Sequence, residues 1–275
     1  MRKILSIFLL LAIAGSAFAP VLPKPMLGLQ PRWENPLTKG LVGFWLMNEG
    51  AGGTVFDLSG NGNNGTFATD PTWSPGKFGS ALNFGGTAGV NLGSPLVAAT
   101  GSFTALAWVY QKTNTYSSII SQYRADEGGR SIFIMWHTDG EFRAVINGGA
   151  ADVSFSASLL TWYQIGITRN SAGGLVLYVN GVAVDTGSDA GGIEQDANTF
   201  IGSDATDTFP STSIIDHAAI YNRALSTSEI AELYRNPFGR FRFNPGWAWY
   251  VPGGGPSGTG YIFNVGSTIF GGAVQ

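Results

Sequence analysis

Leu175-Val176-Leu177-Tyr178-Val179-Asn180-Gly181-Val182-Ala183-Val184 is the stretch that decides the fold class. Two apolar, β-branched runs flank Asn-Gly. That dipeptide adopts positive φ at both central positions of a two-residue turn, so the segment is predicted to be a β-hairpin. Working toward the N-terminus, Tyr163, Ile165 and Ile167 alternate with Gln164, Gly166 and Thr168, the period-two pattern of a half-buried strand. Phe103–Tyr110 is apolar at nearly every position, as expected of a strand buried between two layers. Ser131–Trp136 and Phe142–Ile146 flank the turn Asp139-Gly140, Asn147-Gly148 marks a further turn, and Leu41–Met47 opens the series. Short strands at this spacing, without intervening helices, predict an all-β sandwich or barrel.

Composition agrees. The chain has 275 residues, 40 of them Gly, with 13% aromatic and only 12% charged side chains. That balance suits many strands joined by glycine turns and disfavours helix bundles. There is no cysteine, which excludes disulfides, thiolate metal sites and a thiol nucleophile. Residues 40–236 carry 8 Lys/Arg against 17 Asp/Glu. An acidic body of this kind is unsuited to nucleic acid and better suited to cations or neutral, hydroxyl-rich ligands.

The flanks differ from the body. Residues 1–19 read as a secretory signal: Arg2 and Lys3, the apolar run Ile4–Ala14, then Ala17-Phe18-Ala19. The run is too short for a stable membrane span. Residues 20–39 hold five prolines and read as an extended lead-in. Ser226 and Glu229 form a capping box for one short helix, with Ile230, Leu233 and Tyr234 on one face and Asn236-Pro237 as its stop. Residues 238–275 begin basic and aromatic and end glycine-rich and uncharged. The expected division is therefore 1–19 signal-like segment, 20–39 lead-in, 40–237 sandwich domain and 238–275 tail.

Catalytic signatures are sparse. Gly60-Asn61-Gly62-Asn63-Asn64-Gly65 fits the dinucleotide glycine pattern, but no helix follows it. The two histidines, His137 and His217, stand far apart in sequence. No alternating acidic run supplies the facing carboxylates of glycoside hydrolysis. Asp57-Leu58-Ser59-Gly60-Asn61-Gly62-Asn63 concentrates a carboxylate, amide oxygens and curved backbone in one turn, which reads either as an Asx turn or as an oxygen cage for Ca²⁺.

Several stretches together resemble the laminin-G-like (concanavalin A-like) jelly-roll domains of bacteria and phages. They are Gly40-Leu41-Val42-Gly43-Phe44-Trp45 with Asn48-Glu49-Gly50, Asp57 through Gly65, Gly79-Ser80-Ala81-Leu82-Asn83-Phe84, Phe103 through Val109, Trp162-Tyr163-Gln164, and Leu177-Tyr178-Val179-Asn180-Gly181. The closing motif is Ile215-Asp216 followed by Ile220-Tyr221-Asn222-Arg223-Ala224-Leu225-Ser226. The resemblance spans about residues 40–236. It departs from the family's pattern at Gly85, where Asp is usual, and at His217, where Glu is usual. It implies an all-β, two-sheet antiparallel jelly-roll sandwich with the short C-terminal helix on its edge. It implies a binding module for carbohydrate or protein, often with structural calcium. By that resemblance Asp57 and Asp216 are the first expected calcium ligands, with Asn61 and Asn63 next. Trp45, Trp108 and Trp162 are expected in the core. Tyr116, Tyr123, Arg124, Asp126, Arg130 and Trp136 are left to contact a glycan. The function expected is non-catalytic glycan binding by a secreted or surface-displayed lectin-like domain. The alternative is a structural or adhesive component of a phage virion or cell surface, anchored to a protein partner or to further copies through residues 238–275. A glycan hydrolase on the same fold is the third reading.

Overall fold

The computed structural model describes residues 24–25, 29–68, 70–98, 101–122, 132–146, 153–189, 191–193, 198–204 and 209–243, with the backbone of 249–251 and 261–263. Two antiparallel sheets of eight strands face each other. The front sheet runs in the order 153–156, 141–146, 132–136, 117–122, 199–201, 90–91, 65–66, 54–55. The back sheet runs 182–188, 174–179, 162–169, 103–111, 213–221, 80–83, 72–75, and Leu41–Trp45 also pairs with Ser213–Tyr221. This is the jelly-roll sandwich that the strand pattern and the resemblance imply.

Phe103–Gln111 explains why its sequence is apolar on both sides. It lies between Trp162–Arg169 and Ser213–Tyr221. Phe103, Ala105, Ala107 and Val109 point into the inter-sheet core, where they meet Ile132, Ile134 and Trp136 of the front sheet. Leu106 points the other way, into a second apolar cluster with Phe44, Tyr178, Ala219, Tyr221, Ile230 and Leu233. Side chains alternate across a strand, so a strand with a layer on each side must be apolar throughout.

The decisive hairpin forms as expected. Asn180 and Gly181 take φ of 52° and 81°, joining Gly174–Val179 to Val182–Ser188. The helix spans Thr227–Arg235 with the complete Ser226–Glu229 capping box. It lies against the edge strand Val182–Ser188, as expected, and through Ile230 and Leu233 it also covers the outer face of the back sheet. The reason is Leu106, Tyr178 and Tyr221, outward-facing apolar side chains that need a cover.

The lead-in and the start of the tail are also more ordered than their prolines and glycines predict. Leu29–Pro31 pairs antiparallel with Phe241–Phe243, and Pro36–Thr38 forms a 3-10 turn capped by Asn35. Phe241 stacks on Phe44, with ring centroids 4.5 Å apart, and the buried Arg240 guanidinium lies 4.5 Å from the Phe44 ring. The domain body therefore includes Leu29–Pro31 and Phe241–Phe243. Further along, Trp249–Val251 pairs with Tyr261–Phe263. Residues 1–23, which include the expected signal segment 1–19, and Asn147-Gly148 lie outside the described residues.

Candidate functional site

Of the side chains expected to contact a glycan, Tyr116 is the one that is both described and exposed, at the end of the front sheet. Trp136 pairs with Ser117 at the end of the ladder between Ile132–Trp136 and Ser117–Gln122. Tyr116 and His137 follow directly beyond that last rung. Tyr116 is 40% exposed. Its ring stands edge-on to the His137 ring, with centroids 4.7 Å apart, and its hydroxyl lies 2.9 Å from His137 Nε2. His137 Nδ1 lies 2.9 Å from Asp139 Oδ1. A neutral imidazole donating to that carboxylate at Nδ1 accepts the tyrosine proton at Nε2.

The hairpin turn holds this chain in place. His137 N–H donates to the Glu141 carbonyl (2.8 Å) and Gly140 N–H to the His137 carbonyl (3.1 Å), with Gly140 at φ 86°. Arg143 donates to the Asp139 carboxylate and lies 3.3 Å from Glu141 Oε2. Partial desolvation pushes the Asp139 carboxyl upward, but the His137 hydrogen bond and the Arg143 charge outweigh it and hold it below the usual range. Phe209 packs beside Tyr116, centroids 5.6 Å apart. Behind it lie Phe133 and Met135, whose neighbours in sequence face the inter-sheet core.

Trp136 is a correction. It is 1% exposed, packs edge-on against Phe142 and donates from Nε1 to Asn114 Oδ1 (2.9 Å). It cannot stack on a ligand. It braces the loop below the site instead, because Asn114 Nδ2 in turn donates to the Thr138 carbonyl. Strand alternation turns 132, 134 and 136 inward together. Tyr123, Arg124, Asp126 and Arg130 lie outside the described residues. Of the three tryptophans expected in the core, Trp45 is in the inter-sheet core. Trp108 is buried on the back sheet's outer side, stacked on Tyr234. Trp162 is a second correction: it is half-buried, beside Tyr110.

The Asp57 loop is pinned to the strand Leu41–Trp45. Asp57 Oδ1 accepts from Phe44 N–H and Ser59 N–H; Oδ2 accepts from Ser59 Oγ and Asn63 N–H. Asn61 donates to the Leu41 and Val42 carbonyls, Asn63 to the Val42 carbonyl, and Trp45 Nε1 to the Asn63 carbonyl. Asp216 belongs to a separate network. Its Oδ1 meets Lys24 Nζ and His217 Nδ1, each at 2.9 Å, and its Oδ2 accepts from Phe78 N–H. Burial alone would raise the Asp216 carboxyl; the His217 hydrogen bond and the Lys24 charge hold it low. Burial lowers the His217 imidazole, against the pull of Asp216. The structure thus does not bring Asp57 and Asp216 together. Among the described residues no group of three or more His, Cys, Asp or Glu side chains is placed to hold a metal.

Sequence reasoning missed His137, Asp139 and Arg143 as a unit. Asp139-Gly140 was legible only as a turn. The available signal was the spacing: residues 137, 139, 141 and 143 bracket a hairpin whose intervening strand residues are apolar. It missed Lys24 altogether, since nothing in a proline-rich lead-in marks a lysine as buried.

Known proteins place this arrangement in context. Among solved structures, domain 4 of AbnA, a GH43 extracellular arabinanase from Geobacillus stearothermophilus in complex with arabinotriose, is 19% identical. It superposes with a TM-score of 0.58 over 70% of this chain and 98% of that one. The Trypanosoma rangeli sialidase in complex with sialic acid gives 17% identity and a TM-score of 0.56 over 73% of this chain, but only 33% of its own length. The binding domain of Paraclostridial Mosquitocidal Protein 1 gives 20% and 0.55 over 74% of this chain and 53% of that one. At these identities the likeness is one of fold. Comparison with curated proteins returns no match. The family model of the concanavalin A-like lectin/glucanases superfamily matches residues 84–231, more than half of the chain. With the two-sheet jelly roll described above, the chain is a member of that superfamily.

Proposed function

We propose that this protein is a non-catalytic glycan-binding module that seats its ligand on the front sheet's outer face, at Tyr116. The observation that carries the reading is the exposed Tyr116 ring, fixed by His137 and flanked by Asp139, Glu141 and Arg143. An exposed aromatic face stacks on a sugar ring, while carboxylates and a guanidinium hydrogen-bond its hydroxyls. Fixing the ring beforehand lowers the entropy lost on binding. The arabinotriose complex of the AbnA domain supports the ligand class. The pairing of Arg143 with both Asp139 and Glu141 supports a binding role, because glycoside hydrolysis uses one carboxyl in its protonated form and Asp139 is held below the usual range. The signal-like N-terminus supports export to the cell exterior.

A glycan array followed by calorimetry tests this reading. Binding of an oligosaccharide that weakens about tenfold or more in Tyr116→Ala is expected. Absence of any binder on the array, or turnover of a bound oligosaccharide, overturns it. A second reading is favoured by a specific observation. Leu29–Pro31 pairs with Phe241–Phe243, so the start of the tail is tied to the lead-in on the domain body, and an anchoring tail that continues from there would suit a structural or adhesive component of a virion or cell surface. If deletion of residues 244–275 changes neither assembly nor oligomeric state, that reading is lost.

A further inference from the structure

Lys24 has no part in the proposed glycan face, yet it is the most completely enclosed lysine among the described residues. Its side chain is 1% exposed. The ammonium sits among four oxygens: Asp216 Oδ1 at 2.9 Å, the Asp216 carbonyl at 2.9 Å, the Ser80 carbonyl at 2.5 Å and the Met47 carbonyl at 3.3 Å. An ammonium has three protons, so this cage offers one more acceptor than a lysine can use. Three backbone carbonyls and a carboxylate converging on a point make the donor set of a hard divalent cation.

The fold builds the cage from three segments that are distant in sequence. Met47 follows the strand Leu41–Trp45 with a left-handed backbone, φ 55°. Ser80 opens the strand Ser80–Asn83. Asp216 sits where the ladder to Phe103–Gln111 shifts register between Ile215 and Ala218, and such a bulge re-aims local groups out of the ladder. Glu49 adds negative charge nearby. Its Oε1 accepts from Phe56 N–H, its Oε2 is buried without a hydrogen-bond partner, and its charge acts on Lys24. Lys24 itself arrives on the lead-in, tied by its N–H to the Phe78 carbonyl (2.8 Å) and by Asn48 Nδ2 to the Pro25 carbonyl (2.9 Å).

Against this arrangement, the calcium ligation that the family resemblance implies does not fit. At Asp57 each carboxylate oxygen already accepts from two protein donors. At Asp216 the cation position holds an ammonium.

We propose that Lys24 stands in for a divalent cation: the cage of Met47, Ser80 and Asp216 is a cation site filled in cis by the N-terminal segment, and it takes Ca²⁺ when Lys24 is withdrawn. The lead-in is then a plug, and the chain exchanges a dependence on external calcium for a dependence on its own residue 24.

Thermal unfolding of the full chain in chelator and in millimolar calcium, with calorimetric calcium titration, tests this. The wild-type Tm is expected to be the same in both within about 1 °C. Lys24→Ala is expected to melt lower in chelator and to recover by at least about 4 °C in calcium, since a ligand that binds only the folded state raises its stability. Adding Asp216→Asn to Lys24→Ala should abolish that recovery. Lys24→Met keeps the methylene stem and guards against simple misfolding of the alanine variant; it too should bind calcium. Absence of calcium binding and of recovery in both Lys24 variants overturns the proposal. So does calcium binding by the wild-type chain that Asp216→Asn removes, because the cage would then admit the ion with Lys24 in place.

Discussion

Tyr116 shows how little of a residue's role its type alone decides. Its aromatic ring marks it as a sugar-stacking candidate from the sequence, but so does that of Trp136, twenty residues on. One is exposed and the other sealed behind Phe142, and only strand phase separates them. Tyr116→Phe removes the hydroxyl near His137 and keeps the ring. It should retain most of the glycan affinity, whereas Tyr116→Ala should lose about tenfold or more with a Tm change within about 2 °C, since the side chain is largely outside the core. Calorimetry paired with thermal unfolding separates the two effects. Phe241 is the opposite case. It was legible only as part of an aromatic tail, yet it stacks on Phe44 in the second cluster. Phe241→Ala should cost about 3 kcal/mol in urea unfolding, the usual penalty for emptying a buried aromatic site. A cost near zero would return residues 241–243 to the tail.

The hairpin and the helix are the elements whose chemistry the sequence states outright, and they meet. A Cβ at Gly181 would lie 2.8 Å from Tyr234 Cβ and 3.3 Å from Ala231 Cα. Gly181 is therefore required twice, by its φ of 81° and by the helix that rests on the turn. Gly181→Ala should destabilise by about 2 kcal/mol, more than the roughly 1 kcal/mol expected of a left-handed residue alone. Pairing it with Tyr234→Gly, which removes the facing Cβ, in a double-mutant cycle should recover part of the loss. At the other end of the helix, Glu229 closes the capping box and takes two bonds from Arg223, at 2.7 and 2.9 Å. The Arg223 hydrogen bonds pull its carboxyl down to about 2, against a modest desolvation. A depressed carboxyl stabilises the fold above its unfolded value, near pH 4.5, and that contribution is lost as pH falls toward 2. Glu229→Gln should thus be less stable than wild type by about 1–2 kcal/mol at neutral pH, allowing for solvent screening, with the gap closing near pH 2. Arg223 also donates to the Lys39 and Pro36 carbonyls, so this one side chain joins the helix to the lead-in. Its motif was visible in the sequence; its reach to the lead-in was not.

Across the whole molecule, the two sheets put opposite demands on their outer faces. The back sheet is closed by the helix, Leu29–Pro31 and Phe241–Phe243, while the front sheet presents Tyr116 and the Asp139–Arg143 pair. Among the described residues, Leu29–Pro31 and Phe241–Phe243 both lie on the closed side. Truncation after Phe243 should leave the Tm within about 2 °C of the full chain, whereas truncation after Pro237 removes the strand partner of Leu29–Pro31 and the cover over Phe44 and should lower it by about 6 °C or more. Equal melting temperatures for the two would show that the closed face does not depend on these strands.

The sequence by itself determined the local structure: the Asn-Gly hairpin, the capped helix, the alternating and the doubly apolar strands, and with them an all-β sandwich or barrel, which the family resemblance narrowed to a jelly roll. These follow from backbone preference and periodicity, which act over a few residues. Only the tertiary structure decided which aromatic side chains face outward, that the Asp57 loop spends its polar atoms on its own strand, that Leu29–Pro31 and Phe241–Phe243 complete the body, and that Lys24 fills an oxygen cage. Each of those depends on groups from 13 to 214 residues apart meeting across a sheet or a cluster. No local pattern encodes such a meeting, because its free energy is gained only when both partners are buried together.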